Sequence, residues 1–421
     1  MTIKIKRFLK ILRLEVELFV ILITGLIYIF IDKIKPHPII PADNILFIQI
    51  YGIGNFVLCS TMQSAIREYF QNKKIIAVVH PQIKELTTKC PYLDEVIVYQ
   101  DRSLSGKIKL INQLRQTNFA LAIDLSGTYW TAWLCRLSRA PKRVGFNAVG
   151  VQRLWFNRDG SGRLYTKGIP FNHNIYMKEF YDKFLSELNI PLKDKDLKIF
   201  PSQEDDKFAT QLLKEFKDDT IPLITIHIGA RQKERLWSVE KFAGLISELL
   251  KKGTKIILTG ASNDIERGNR ILSLVNSRSK DIISIIGKTT LYQLTSIIAR
   301  SDLFIGHDSG PMHLACAVKT PLIALFGPGV VELWRPYLKE SIVIQSNVQC
   351  RGCNKIGHFY NCKENVCMSQ ISVEQVLNAV ETIMKKGGRR REKNKNYLPH
   401  TSFHHGFSSV QSFGDRHLMI D

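Results

Sequence analysis

Short apolar runs alternate with longer amphipathic stretches along most of the chain, and the alternation comes in two rounds. In the first, the runs 44–50, 74–79, 95–99 and 119–124, with a weaker one at 142–146, read as strands, and 56–70 as a helix. The second starts near Ile221, with strands at 223–228, 255–259, 282–286, 302–306 and 321–326 and helices over 239–252, 264–277 and 290–300. A run that is apolar throughout is covered on both faces, as parallel strands joined by crossover helices are. Two such rounds predict an α/β chain with two Rossmann-like domains facing a central cleft. Ligands of such sheets lie beyond the carboxyl ends of the strands. Segment 192–220, polar and rich in Lys and Asp, reads as the connection.

The two ends follow other patterns. Lys4, Lys6, Arg7, Lys10 and Arg13 precede an uncharged apolar run, 18–31. That run is shorter than the roughly 20 residues a helix needs to span a bilayer. Extending it backwards meets Glu17, Glu15 and Arg13. Three placements are open: a basic helix lying in the membrane interface, a short spanning anchor, or a helix packed on the protein. No convincing small-residue cleavage site marks a secretory signal peptide. At the other end, Arg389, Arg390 and Arg391 open a tail rich in Ser, His and Phe that reads as disordered. The expected organisation is a membrane-associating helix over 1–40, a first domain over 41–200, a second over 201–385 and a basic tail over 386–421.

Composition narrows the partners. The chain has 421 residues, enough for two domains with extensions, and a formal net charge of +21. Such a balance favours polyanions: nucleic acid, anionic lipid, phosphorylated glycans or nucleotides. No RNA- or DNA-reading motif is present, so nucleic acid is set aside. Of the eight cysteines, Cys59, Cys90, Cys135 and Cys316 sit singly in apolar stretches and read as buried small residues. Cys350, Cys353, Cys362 and Cys367 cluster instead. Four thiolates make a closed tetrahedral zinc site with a structural role, His358 being a substitute ligand; without metal the cluster is packing. The layout is not that of a secreted disulfide scaffold, and a reducing compartment is the simpler reading.

The residues that could carry chemistry fall at strand ends. The strand ending at Gly306 runs into His307-Asp308-Ser309-Gly310-Pro311, and a helix begins at about Met312. Gly310 allows a tight turn and Ser309 can cap the helix. The free amides of that helix start suit a diphosphate. Asp308 lies at the strand end and His313 one turn into the helix. The same features describe a capped turn with no ligand, and both readings stand at this level. In the second half's first loop, Gly229, Arg231, Lys233 and Arg235 precede Trp237. Glycine and dense positive charge at a strand's carboxyl end suit phosphate, while Lys233 reads as a solvated charge and Trp237 as core. Asp264 follows the next strand, where an acid binds ribose hydroxyls or simply favours a helix dipole. In the first half, Tyr51-Gly52-Ile53-Gly54-Asn55 joins strand to helix, a weak signal alone. Asp124 ends a strand at the same sheet edge.

These residues resemble glycosyltransferase family 9, the lipopolysaccharide heptosyltransferase family, over about 44–385. The strongest match runs from Asp308 to Ala315, then from Thr320 to Pro328, and includes Trp334-Arg335-Pro336-Tyr337. Supporting matches are 45–54, 122–127, 143–146 and 227–237, and the cysteine cluster is similar to one in many members. The resemblance implies the GT-B fold, with the acceptor domain first, the nucleotide-sugar donor domain second, and a final helix returning to the first. It implies a metal-independent, inverting transfer of a sugar, typically heptose from ADP-heptose, to a lipid-linked saccharide. Arg235 falls where characterised members have a diphosphate-holding lysine. Asp308 and His313 match donor-site residues, and Ser309, Gly310 and Pro311 fall where backbone meets phosphate. One departure stands out. The family has Gly-Asp at the first loop, its aspartate being the proposed general base, and here the pair is Gly54-Asn55. A neutral amide cannot take a hydroxyl proton. Asp124 could replace it as base, Asn55 could orient the acceptor in a slower reaction, or the protein could bind without transferring.

The expectation is therefore a membrane-associated glycosyltransferase with a nucleotide-sugar donor and a lipid-linked glycan acceptor. It needs no cofactor for catalysis and carries a structural zinc at most. The alternatives are a catalytically impaired nucleotide-sugar-binding protein of a surface-glycan pathway and a nucleotide-sugar epimerase. More positive charge precedes the apolar run than follows it, so a spanning helix would put the body outside, away from a cytoplasmic donor. That favours a peripheral or monotopic placement on the cytoplasmic face of the inner membrane, against its anionic surface.

Overall fold

The computed structural model describes residues 2–34, 43–147, 164–171, 175–216, 218, 220–275, 280–353, 362 and 364–387. The tail expected from 386 lies outside them from 388 onward, as does His358. The chain divides into two compact units, Met1–Asp194 and Lys195–Asp421.

The first unit's strands are β1 (Asn44–Gln49), β2 (Lys74–Val79), β3 (Glu95–Val98), β4 (Phe119–Asp124), β5 (Lys142–Asn147) and β6 (Lys167–Pro170). They form a parallel sheet in the order β3-β2-β1-β4-β5-β6. The second unit's strands are β7 (Leu223–His227), β8 (Lys255–Thr259), β9 (Ile282–Ser284), β10 (Leu303–His307), β11 (Leu322–Phe326) and β12 (Ser341–Gln345). Their order is β12-β11-β10-β7-β8-β9, again parallel. Each unit is thus a Rossmann-like sheet, as the apolar runs require. Central strands such as β7, β10 and β11 are buried at every position.

In each sheet the strand order reverses once, between β1 and β4 and between β7 and β10. Crossovers leave these two strands in opposite directions, so their outgoing loops open a crevice. Register makes this concrete: Gly306 pairs with His227, so the chain leaves the sheet at Ile228-Gly229 and His307-Asp308 side by side.

Several expectations change. Segment 192–220 is no simple connection. Helix Gln203–Leu213 lies in it, started by a reciprocal capping box between Ser202 and Asp205, with Ala209 and Leu213 in a core cluster with Ile297. A high Asp count in the first turn marks a helix start as well as it marks a linker. Residues 56–70 form two helices, Ile53–Leu58 and Ser60–Tyr69, parted at Cys59. Edge strands β6 and β12 escaped the pattern because they are partly exposed and lack the continuous apolar run of a central strand. Helix Val373–Gly387 seats Val376, Ala379, Val380 and Ile383 in the second unit's own core.

Candidate donor and acceptor sites

In the second unit the site grows from the ends of β7 and β10. Asp308 is buried and faces Arg235. The Arg235 Nη1 donates to the Asp308 carbonyl at 2.8 Å and lies 3.0 Å from its Oδ2. Burial lifts the Asp308 carboxyl above its ordinary range, and Arg235 pulls it part of the way back. A carboxylate enclosed this way is stable only because its counter-charge sits beside it.

Beside this pair Ser309 Oγ, His313 Nδ1 and the Nε of Arg235 itself, all buried, have no hydrogen-bond partner among the described residues. Ser309 holds the N-cap position of helix Gly310–Ala317, yet its hydroxyl makes no cap bond. The expected Ser309 cap is therefore absent and its hydroxyl is left over. Buried polar atoms are nearly always satisfied, so several orphans together mark a place where a polar ligand completes the bonding. His313 is held neutral, its pKa pushed down to about 3 by burial and then by Arg235. Gly329 closes the other side. A Cβ there would stand 2.0 Å from Asp308 Oδ2, so only glycine lets that loop approach the carboxylate.

His307 positions the basic loop. The Trp237 backbone N–H donates to His307 Nε2 at 2.9 Å, which leaves the proton on Nδ1, 3.1 Å from the Gly229 carbonyl. Burial pushes its pKa down to about 3, so it stays neutral. The loop is pinned at both ends to β10, and Trp237, fully buried, donates its Nε1–H to the Ile371 carbonyl at 3.0 Å. Arg235 is brought into the site while Arg231 and Lys233 remain exposed. His227 ends β7 beside Thr259, with Nδ1 3.0 Å from the hydroxyl, and burial lowers its pKa to about 4.

Asp264 has a local role. Its Oδ2 accepts the Ala261 N–H at 2.8 Å and lies against Gly229 and Gly260. Arg267 went unnoticed in the sequence. It donates to the Trp237 carbonyl, lies 6.0 Å from the Phe242 ring centroid, and adds positive charge near Asp264 and His307. The only signal for it was a basic residue following Asp264 in the first turn of helix Ile265–Leu274.

In the first unit Asn55 lies in the first turn of helix Ile53–Leu58. The Tyr181 hydroxyl donates to its Oδ1 at 2.7 Å. This bond fixes the amide and turns its N–H₂ away from Tyr181. Burial pushes the Tyr181 hydroxyl well above its ordinary pKa, so it is no base at neutral pH. Asp124 does not face an open edge as expected. It is 0% exposed. Ser126 and Gly127 N–H groups donate to Oδ1 at 2.8 and 3.3 Å, and the Tyr165 hydroxyl donates to Oδ2 at 2.7 Å. Burial lifts its pKa to about 6, against these bonds. A carboxylate held by these three bonds anchors the turn that follows β4.

The four clustered cysteines differ in setting. Cys350 and Cys362 are exposed, Cys353 is intermediate and Cys367 is buried. Burial pushes the Cys367 thiol up to about 11, and the other three thiols add to it. Among the described residues no group of three or more His, Cys, Asp or Glu is arranged to hold a metal ion.

Two Rossmann-like sheets, with the buried Asp308–Arg235 pair and its unsatisfied neighbours on the second, are the parts from which a GT-B protein is built, and the solved structures that superpose on the chain share that fold. The pattern of Glycosyltransferase family 9 (heptosyltransferase) matches residues 107–363, more than half of the chain. The chain belongs to that family and is a glycosyltransferase. Lipopolysaccharide heptosyltransferase 3 of Escherichia coli (strain K12) is 24% identical over 356 residues, 81% of this chain and 98% of that protein. A glycosyl transferase family 9 structure from Veillonella parvula DSM 2008 superposes with a TM-score of 0.67 at 23% identity, over 82% of this chain and 97% of that one. The E. coli ADP-heptose lps heptosyltransferase II superposes at 0.64 with 20% identity, over 82% and 99%.

Proposed function

We propose that this glycosyltransferase moves heptose from ADP-heptose to a lipid-linked or lipopolysaccharide core saccharide, with inversion. The observation that carries the donor half is the buried Asp308–Arg235 pair ringed by the unsatisfied Ser309 Oγ, His313 Nδ1 and Arg235 Nε. The choice of heptose and ADP is supported by the E. coli ADP-heptose lps heptosyltransferase II, whose fold this chain resembles. The diphosphate binds at the start of helix Gly310–Ala317, with Arg235 supplying positive charge. The acceptor hydroxyl attacks the anomeric carbon as the bond from that carbon to the diphosphate oxygen breaks, and the hydroxyl proton passes to solvent water. The nucleotide diphosphate leaves with the electron pair, and Arg235 and the helix amides stabilise its growing charge. Asp264, already bonded to Ala261, contributes its remaining oxygen to a ribose hydroxyl, and Arg231 adds charge at the rim. A lipid-borne acceptor and a cytoplasmic donor place the enzyme at the cytoplasmic face of the inner membrane. We propose further that the cysteine cluster gathers one structural zinc, which takes no part in transfer.

A second reading is favoured by one observation: Asn55 is neutral, and its carbonyl oxygen is already occupied by Tyr181. The first loop then offers no base, and the chain binds its donor with slow or no turnover. One experiment separates the two. Release of nucleotide from ADP-heptose is measured with and without a heptose-acceptor saccharide, for the natural chain and for Asp308→Ala and Asn55→Asp. The main reading expects acceptor-dependent release that Asp308→Ala abolishes. It also expects Asn55→Asp to accelerate release by up to about 10²–10⁴-fold where proton removal limits the rate. An unchanged rate in Asp308→Ala removes the site assignment. Release seen only with Asn55→Asp selects the second reading.

A further inference from the structure

Helix Thr2–Ile34 is seated by one side on the first unit and bare on the other. On the seated side, Ile21 enters a core cluster with Trp130 and Trp133. Gly25 approaches the Trp133 ring so closely that a Cβ would meet it at 2.4 Å. The Tyr28 hydroxyl donates to Asn112 Oδ1 at 2.7 Å, and the Arg115 guanidinium lies 4.8 Å from the Tyr28 ring centroid. Asp32 pairs with both Arg115 and Arg139, accepting the Arg115 Nη1–H at 3.1 Å and the Arg139 Nε–H at 3.0 Å.

The bare side carries Val16, Phe19, Ile23, Leu26, Ile27, Phe30 and Ile34, between 42% and 64% exposed. The spacing of three and four residues makes these one continuous stripe, about 27 Å long at the rise of a helix. In the sequence the same spacing continues back through Leu12, Leu9, Phe8 and Ile5, with no charge at those positions. An apolar stripe of this length on a surface calls for a partner.

Three observations choose that partner. No helix of the described residues is long and apolar enough to cross a membrane, and one flank of this helix is committed to the protein by Asp32 and Gly25. A spanning helix needs lipid or apolar neighbours all round, whereas an in-plane helix needs lipid on one side. Lys4, Lys6, Arg7, Lys10 and Arg13 open the same helix in a chain of net charge +21. That charge attracts an anionic surface and repels a second copy of itself.

We infer that helix Thr2–Ile34 is an in-plane membrane-docking element, presenting the Val16–Phe19–Ile23–Leu26–Phe30 stripe to the acyl boundary of an anionic bilayer. Because Asp32 and Gly25 fix the helix to the first unit, docking holds that unit in one orientation at the lipid surface. The inference rests on the proposed lipid-linked acceptor only for its purpose.

The test is co-sedimentation of the full chain with vesicles of phosphatidylcholine alone and with added phosphatidylglycerol. The natural chain binds the anionic vesicles more tightly than the neutral ones. Phe19→Glu with Phe30→Glu lowers binding by about 100-fold or more, since two buried aromatic side chains are lost and two like charges gained. Both side chains are exposed, so thermal stability and nucleotide binding stay as they were. Binding undiminished in that variant overturns the inference, as does a natural chain that binds neither vesicle. So does a stable dimer by light scattering that the variant splits, which would make the stripe a contact between copies. Neither donor nor acceptor is present, so this result and that of the transfer assay fail or succeed separately.

Discussion

Replacing Arg235 by methionine removes the counter-charge of a carboxylate that has no other among the described residues. The Arg235 side chain is 19% exposed and that of Asp308 5%, so the charge left behind is the more deeply buried of the two. Breaking a buried pair from one side costs about 3–5 kcal/mol, and Arg235's partial exposure places this pair near the lower figure. The sign with pH adds a check. Asp308 already titrates above its ordinary range because burial outweighs Arg235. Without Arg235 it rises further, so the native state takes up a proton more readily and the penalty shrinks as pH falls. Urea unfolding of Arg235→Met therefore shows a loss of about 3 kcal/mol at pH 7.5 and a smaller one at pH 5. Adding Asp308→Asn removes the second charge and recovers most of the stability. It does not recover turnover, because loss of a positioned transition-state donor costs about 10²–10³-fold. A penalty under about 1 kcal/mol, or one that does not vary with pH, refutes the reasoning that the pair is buried and mutually dependent.

Three further outcomes follow. Asp124→Ala leaves Tyr165, Ser126 and Gly127 without their acceptor and costs about 2–4 kcal/mol, while kcat of the folded enzyme stays within a few-fold. A stable variant with a collapsed kcat would return Asp124 to the role of base. His227, His307 and His313 are buried neutral with pKa values near 4, 3 and 3, below the ordinary 6.5 of the unfolded chain. The unfolded state alone binds their protons below that pH, so the second unit loses stability as pH falls from about 6.5 towards 4, each histidine contributing up to about 1.4 kcal/mol per pH unit. Asp308, shifted upward, offsets only part of this; a melting temperature flat from pH 7 to 5 contradicts these burials. Elemental analysis of the purified chain finds about one zinc per chain, lost in Cys350→Ser with Cys353→Ser; metal-free protein of full stability leaves the cysteines as packing.

The sheets were legible because their central strands are apolar at nearly every position, a signal that survives without tertiary context. The edges were not: β6 contains Gly168 and Pro170, and Ile169 is its one buried residue. The donor loop was legible too, since glycine, acid and base at a strand end have few other uses. What the sequence could not convey was direction. Asp124 ends one apolar strand and Asp308 follows another, yet Asp124 turns inward onto its own turn and Tyr165 while Asp308 meets a distant arginine. Ser309 sits at a helix start with its hydroxyl unused, where position alone predicts a cap. Arg267 and His307 act through partners 30 and 70 residues away from them, at Trp237, and no local pattern announces such contacts.

We propose that the second unit holds a nucleotide-sugar at Asp308, Arg235, Ser309 and His313. Calorimetric titration of the full chain with ADP-heptose, beside Asp308→Ala, tests it directly. Saturable one-to-one binding to the natural chain is expected, with a fall of about tenfold or more in the variant from the loss of one buried charged contact. Equal affinity in the two proteins, or no binding to either, would contradict it.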